Sequence, residues 1–274
     1  GYGFPSAPVQ APQTLVLVHI IAIGWLSLLL CGALFQFVPV LVARPIHSNM
    51  LPLPALVLLV TGLSALVGGF LQLAGTIDIT PALLPFAVTA LAAGFAIALY
   101  NLGRTLWPAR PLPLPARFVA IALVCLAATV TLGAIFAFVL ATPVRSEVLL
   151  AIAGTGLPLH IAAGLGGWLT LAAMGVSYRL LAMFMLAPEL DGPRPHAAFW
   201  LGTSAVAVTI GGGLVLLLRG GSIYPALALG GILAVAALAL YGADIVHLYR
   251  ARKRRIIELN SRMAAFALVS LAGC

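Results

Sequence analysis

The chain has 274 residues, 63% of them hydrophobic and only 7% charged, with a net charge of +8. Too little polar surface remains to cover a water-soluble globule, which excludes a soluble enzyme or binding domain. The basic residues lie in short connections between apolar stretches rather than along one face, which argues against a nucleic-acid partner.

Apolar runs of about 20 residues recur along the whole length, each enough to span a hydrocarbon core of ~30 Å. The ten-residue alternating segments of a membrane β-barrel are absent. Breaker residues and charges divide the chain into eight apolar segments, near 14–42, 51–74, 82–106, 116–141, 147–187, 196–218, 223–249 and 258–274. These predict an all-α polytopic membrane bundle of about eight transmembrane helices. Residues 1–13, GYGFPSAPVQAPQ, are uncharged and rich in Pro and Gly. They lack the basic start of a signal peptide and read as a tail outside the first helix. The fifth segment is long, and Pro158 is expected to separate a surface-lying start from the true span.

Eleven of the fourteen Lys and Arg residues fall in the connections after odd-numbered segments: Arg44, Arg104, Arg110, Arg117, Arg194, Arg250, Arg252, Lys253, Arg254, Arg255 and Arg262. Arg145 and Arg219 lie on the other side, and Arg179 lies within the fifth segment. By the positive-inside rule the odd connections are cytoplasmic and the N-terminus is outside. The run RARKRR at 250–255 then reads as an orientation signal beside anionic lipid. Cys31, Cys125 and Cys274 form no CxxC or CxxCH sequence, so covalent haem attachment and zinc-ribbon chemistry lack support. Cys31 and Cys125 read as small packing residues.

The two halves of the chain resemble each other. Trp25 and Trp168 follow similar glycine-bearing stretches; Tyr100 pairs with Tyr241, and RFVAIALVC at 117–125 with RMAAFALVS at 262–270. Arg44 with His47 and Arg194 with His196 form corresponding loops, and Gly68-Gly69 matches the glycines at 211–213. This order predicts a duplication, with 14–141 and 147–274 as two four-helix repeats of the same topology, related by an axis along the membrane normal. If the fourth and eighth helices are equivalent, the eighth is expected to continue beyond Cys274. The glycines at 211–213 precede no strand–helix unit and read as close helix packing rather than a nucleotide loop.

Five histidines carry the chemical interest. His19 and His160 stand in the first and fifth segments, six and eight residues before their tryptophans, at similar depth in the outer third. An intramembrane imidazole needs a partner, and two on related helices suit the two axial positions of a haem b. A flat macrocycle needs small residues nearby, and Gly24, Gly32, Gly164, Gly166 and Gly167 supply them. His47 and His196 sit near the opposite face, where they could hold a second haem or simply be hydrated loop residues. Arg179, eleven residues after Trp168 as Gln36 is after Trp25, suits either snorkelling to the interface or pairing with a haem propionate. Asp244 and His247 share a helix face and are expected to form a surface ion pair.

An intramembrane His followed by Gly-Trp and GALFQFVPVL (32–41) resembles a helix motif of haem–copper oxidase subunit I relatives, most closely smaller NnrS-like bacterial membrane haem proteins. HIAAGLGGWLTLAAMGVSYRLLAMFMLAP at 160–188 resembles a second such motif. The resemblance implies a bacterial inner-membrane protein binding haem b through His19 and His160, with copper in some relatives. The leading reading of the residues is electron transfer within a respiratory or nitrogen-oxide-related complex, alongside other membrane or periplasmic redox subunits; a quinone partner stays open, since such sites have no reliable short signature. The chain lacks the adjacent His-His pair of an oxygen-reducing copper centre, which favours an electron-transfer subunit over a stand-alone enzyme. Two other classes stay open from the sequence: a two-repeat transporter and a non-catalytic anchor subunit.

Overall fold

The structure is a computed structural model that describes residues 3–254 and 259–272. Among these residues, seven helices are long and apolar enough to cross a membrane. They are span 1, Pro12–Val42; span 2, Pro52–Leu73; span 3, Leu83–Ala109; span 4, Leu114–Ala141; span 5, Leu157–Met185; span 6, Pro193–Leu218; and span 7, Tyr224–Ala251. Two further helices are Glu147–Thr155 and Leu259–Ala272, the latter inside the eighth apolar segment. The protein is an all-α polytopic membrane bundle, in which lipid contact is the ordinary state of the outer faces. Arg255 and Cys274, and with them any continuation of the last helix, lie outside the described residues.

Proline opens most of the spans. It occupies one of the first two positions of spans 1, 2, 4, 5, 6 and 7, where a missing N–H leaves no hydrogen bond unmade. Pro158 does this for span 5. The expected break in the 147–187 segment therefore falls at Gly156, with the separate helix Glu147–Thr155 before it, capped by Ser146. Spans 1 and 5 end alike, each on a non-glycine residue in the left-handed conformation, Ala43 (φ 50°) and Leu186 (φ 52°). The backbone N–H of Arg44 then donates to Pro39 (3.1 Å) and that of Ala187 to Ala182 (2.9 Å), which satisfies carbonyls at the helix end.

Three stretches within spans are π-helical: Ile20–Ser27 in span 1, Ala162–Leu171 in span 5 and Ala207–Gly212 in span 6. In span 1 the Leu28 N–H donates to Ile23 five residues back. The Thr170 hydroxyl reaches Leu165, also five back, at 2.7 Å. Such widened turns are frequent at functional sites. His19 immediately precedes the first, and His160 precedes the second by two residues.

Packing inside the bilayer depends on close side-chain fit, since lipid is as apolar as leucine. Spans 2 and 3 meet through reciprocal small-large contacts, Gly62 beneath Leu91 and Gly94 beneath Leu59. The main core joins Leu34 and Val38 of span 1, Leu102 of span 3, Phe118 of span 4, Trp168 and Tyr178 of span 5 and Leu248 of span 7. Buried positions recur 143 residues apart. On span 2 they are Ala55, Leu59, Gly62, Leu66 and Phe70; on span 6 they are Ala198, Gly202, Ala205, Thr209 and Gly213. On span 3 they are Ala87, Gly94, Ala98, Asn101 and Leu102; on span 7 they are Gly230, Ala237, Tyr241, Asp244 and Ile245. The helix-ending residues Ala43 and Leu186 are also 143 apart. Tyr100 is exposed whereas Tyr241 is buried, so the burial register pairs Tyr241 with Ala98 instead. Both cysteines in the described residues, Cys31 and Cys125, are buried packing residues, as expected; Gly167 lies directly against Cys125.

Candidate functional site

The structure places His19 at the end of the first α-helical stretch of span 1 and His160 in the first turn of span 5. Each ring is anchored through Nδ1 to a backbone carbonyl. His19 Nδ1 bonds Leu15 O one turn earlier at 2.8 Å, and His160 Nδ1 bonds Thr129 O on span 4 at 3.1 Å. The tautomer that donates from Nδ1 leaves the Nε2 lone pair as the free donor atom on each ring. Neither Nε2 has a hydrogen-bond partner among the described residues. Aromatic rings brace both imidazoles, Phe70 of span 2 at 5.3 Å from His19 and Phe136 of span 4 at 5.5 Å from His160. His160 also lies over Gly133, where a Cβ would press on its Cε1 at 3.1 Å.

A packed structural histidine would make the same carbonyl bond. What differs here is the duplication of that arrangement in two intramembrane rings, one on span 1 and one on span 5. Carbonyl-anchored Nδ1 with outward Nε2 is the usual orientation of a metal-bound imidazole. The donor chemistry therefore fits axial ligation of a haem iron. Among the described residues no group of three or more His, Cys, Asp or Glu side chains could hold a metal ion alone.

The other expected site residues lie elsewhere. The backbone N–H of His47 donates to the Thr105 hydroxyl (3.0 Å), and its ring packs edge-on against Tyr100 of span 3. His196, in the first turn of span 6, bonds Gly192 O through Nδ1 at 3.0 Å and has Asp191 at 3.7 Å from Nε2. No hydrogen bond, ion pair or ring contact joins His47 to His196. Arg179 forms an ion pair with Glu189 in the loop after span 5. It follows His160 by 19 residues, roughly 28 Å along a helix, which places it well away from the histidine pair. Gly213, within the glycine run, packs under Leu159 as close helix contact.

The expected surface pair of Asp244 with His247 is not formed. Asp244 is 0% exposed and turns inward, while His247 is exposed on the same helix. The Arg194 guanidinium pairs with Asp244 Oδ1, and the Tyr178 hydroxyl donates to Oδ2 at 2.8 Å. Tyr241 stacks edge-on to Tyr178 at 5.4 Å and shares a 2.7 Å hydrogen bond with Ser177. A buried carboxylate is stable only when paired and hydrogen-bonded, and this one has both supports. Its effect is to fasten the first turn of span 6, through Arg194, and span 5, through Tyr178, onto span 7. Asn101 fastens the loop between spans 1 and 2 onto span 3: it accepts from Ser48 N and donates to Ser48 O, both at 2.9 Å. Asn101 and Asp244 are 143 residues apart. The sequence signal for both was a lone polar residue in an apolar helix, which defaults to a buried role.

Fold and site together define a multi-pass helical membrane protein with a pair of intramembrane histidines. Neither protein-family models nor curated proteins give a match to this chain.

Proposed function

We propose that the protein binds one haem b within the membrane, with His19 and His160 as the axial ligands, and that it passes electrons as a subunit of a respiratory or nitrogen-oxide-related complex. The observation that carries this reading is the pair of intramembrane imidazoles, each held by a backbone carbonyl with Nε2 left for iron. The haem–copper oxidase and NnrS-like resemblance of the two histidine-bearing segments points the same way. Bound haem would supply reversible one-electron chemistry. The protein's part is to fix both rings in orientation through Leu15 O and Thr129 O, and to exclude water with Phe70 and Phe136. The recurrence of caps, buried positions and polar fasteners at 143 residues supports two four-helix units.

At this register His19 corresponds to Ala162 and His160 to Leu17, so the two histidines are not equivalent residues. The pair arises because each unit carries its own histidine on the same outer half. The test is the reduced-minus-oxidised visible spectrum of the purified full chain. The expected result is a sharp α-band lost in His19→Ala and in His160→Ala, and retained in His47→Ala and His196→Ala. A colourless protein from haem-replete cells overturns the reading.

A further inference from the structure

At the end of the bundle where the odd-numbered spans finish, the two halves answer their basic residues differently. In the second half Arg179 pairs with Glu189, Arg194 with Asp244, and His196 faces Asp191. In the first half Arg44, Arg104, Arg110 and Arg117 have no carboxylate in the connections they share. Of the six acidic residues only Asp78 precedes Glu147, and it lies between spans 2 and 3, at the opposite end of the bundle. Two of these arginines rest on aromatic rings instead. The Arg110 guanidinium lies 3.8 Å from the centre of the Trp107 ring, and that of Arg104 lies 5.9 Å from the centre of Tyr100. The His47 ring packs edge-on to the same tyrosine at 5.4 Å. Spacings of four and three residues put Tyr100, Arg104 and Trp107 on one face of span 3, and Arg110 folds back over the last of them.

A ring against one flat face of a guanidinium limits its motion and leaves its N–H edge free to bind. Neither Arg104 nor Arg110 makes a hydrogen bond or ion pair among the described residues, so both edges are open to an oxyanion. Depth and charge select that oxyanion. Trp107 is 66% exposed and Tyr100 52%, and exposed Trp and Tyr near the end of a span sit at the level of lipid headgroups. Further along the same face stand exposed Thr89, Ala93 and Ala96, small side chains that leave a shallow trough for an acyl chain. Positive charge without a carboxylate favours a headgroup of net negative charge, since a zwitterionic one brings its own cation towards the arginines. We propose that Arg104 and Arg110, each set on its ring, hold one anionic phospholipid by its phosphate. This is a lipid retained at a built site, unlike the diffuse attraction of the basic run at 250–255. It does not depend on haem.

Native mass spectrometry of the full chain in detergent, titrated with phosphatidylglycerol or phosphatidylethanolamine, tests it. The expected result is one phosphatidylglycerol retained per chain, with phosphatidylethanolamine bound about tenfold more weakly. Arg104→Gln with Arg110→Gln is expected to weaken phosphatidylglycerol binding about tenfold or more, the worth of a charge-assisted hydrogen bond. Arg110→Lys keeps the charge but loses the stacked fork, and is expected to weaken binding about threefold. Arg250→Gln with Lys253→Gln removes the same charge from the basic run and is expected to leave the retained lipid in place. All four positions are exposed, so these substitutions leave the core untouched. Equal retention of the two lipids, parental affinity in Arg110→Lys, or an equal loss in Arg250→Gln with Lys253→Gln would each overturn the proposal. The last two are the outcomes of diffuse surface attraction alone.

Discussion

The two halves of the bundle share a register yet solve the same packing problem with different side chains. Where span 3 fastens its loop with the amide of Asn101, span 7 uses the carboxyl of Asp244 paired with an arginine. Where span 2 fills the interior with Leu59 and Leu66, span 6 leaves a cleft towards Ala234 of span 7, lined by Gly202 and Thr209. Trp168 is 1% exposed and donates to Ser27 of span 1 at 3.1 Å, while Trp25 is 71% exposed on the lipid face. The first half is thus the better-filled scaffold, and the second concentrates charge and open space. A shared helix register does not oblige two halves to share chemistry.

That contrast can be broken at three places, using thermal unfolding in detergent read by a thiol-reactive dye at the buried Cys31 and Cys125. The largest effect is expected at the polar fasteners. Asp244→Ala leaves Arg194 without its carboxylate and Tyr178 without its acceptor, at a cost of about 3 kcal/mol. Asn101→Ala removes only neutral hydrogen bonds, about 1–2 kcal/mol. Equal losses would mean that the charge adds nothing. Next comes the interior: Leu59→Ala opens a hole beneath Gly94 and is expected to cost about 2–3 kcal/mol. Ala234→Leu, directed into existing space, should change stability by less than about 1 kcal/mol. A large loss there would show that the second half is already full. The smallest effect is at the tryptophans, where Ser27→Ala strands the buried indole N–H at a cost of about 1 kcal/mol. Trp25→Phe, on the lipid face, should leave the transition unmoved.

The fold was legible because lipid imposes a simple rule: apolar runs of sufficient length, broken by proline and basic loops, become spans. Even the split at Gly156 could be read, since Pro158 cannot continue an existing helix. The register between halves was less legible. Tyr100 and Tyr241 look like partners in the sequence, but one faces outward and the other inward, and only burial pairs Tyr241 with Ala98. Asp244 was misplaced for a related reason. Its neighbour His247 offered a local partner three residues on, whereas the partners it has, Arg194 and Tyr178, are distant in sequence. Arg179 and Glu189 met in the same way, across a loop whose path no helical spacing reveals. The cleft could not be foreseen, because small residues in one span say nothing about what faces them from two others.

The most direct test of the histidine pair is haem content per chain, measured on the purified parent, on both single His→Ala variants at 19 and 160, and on their double variant. The expected result is one haem b per parent chain and none in any of the three variants, with the protein still folded by the thiol-dye assay. Haem retained at the parental level in the double variant would contradict the account.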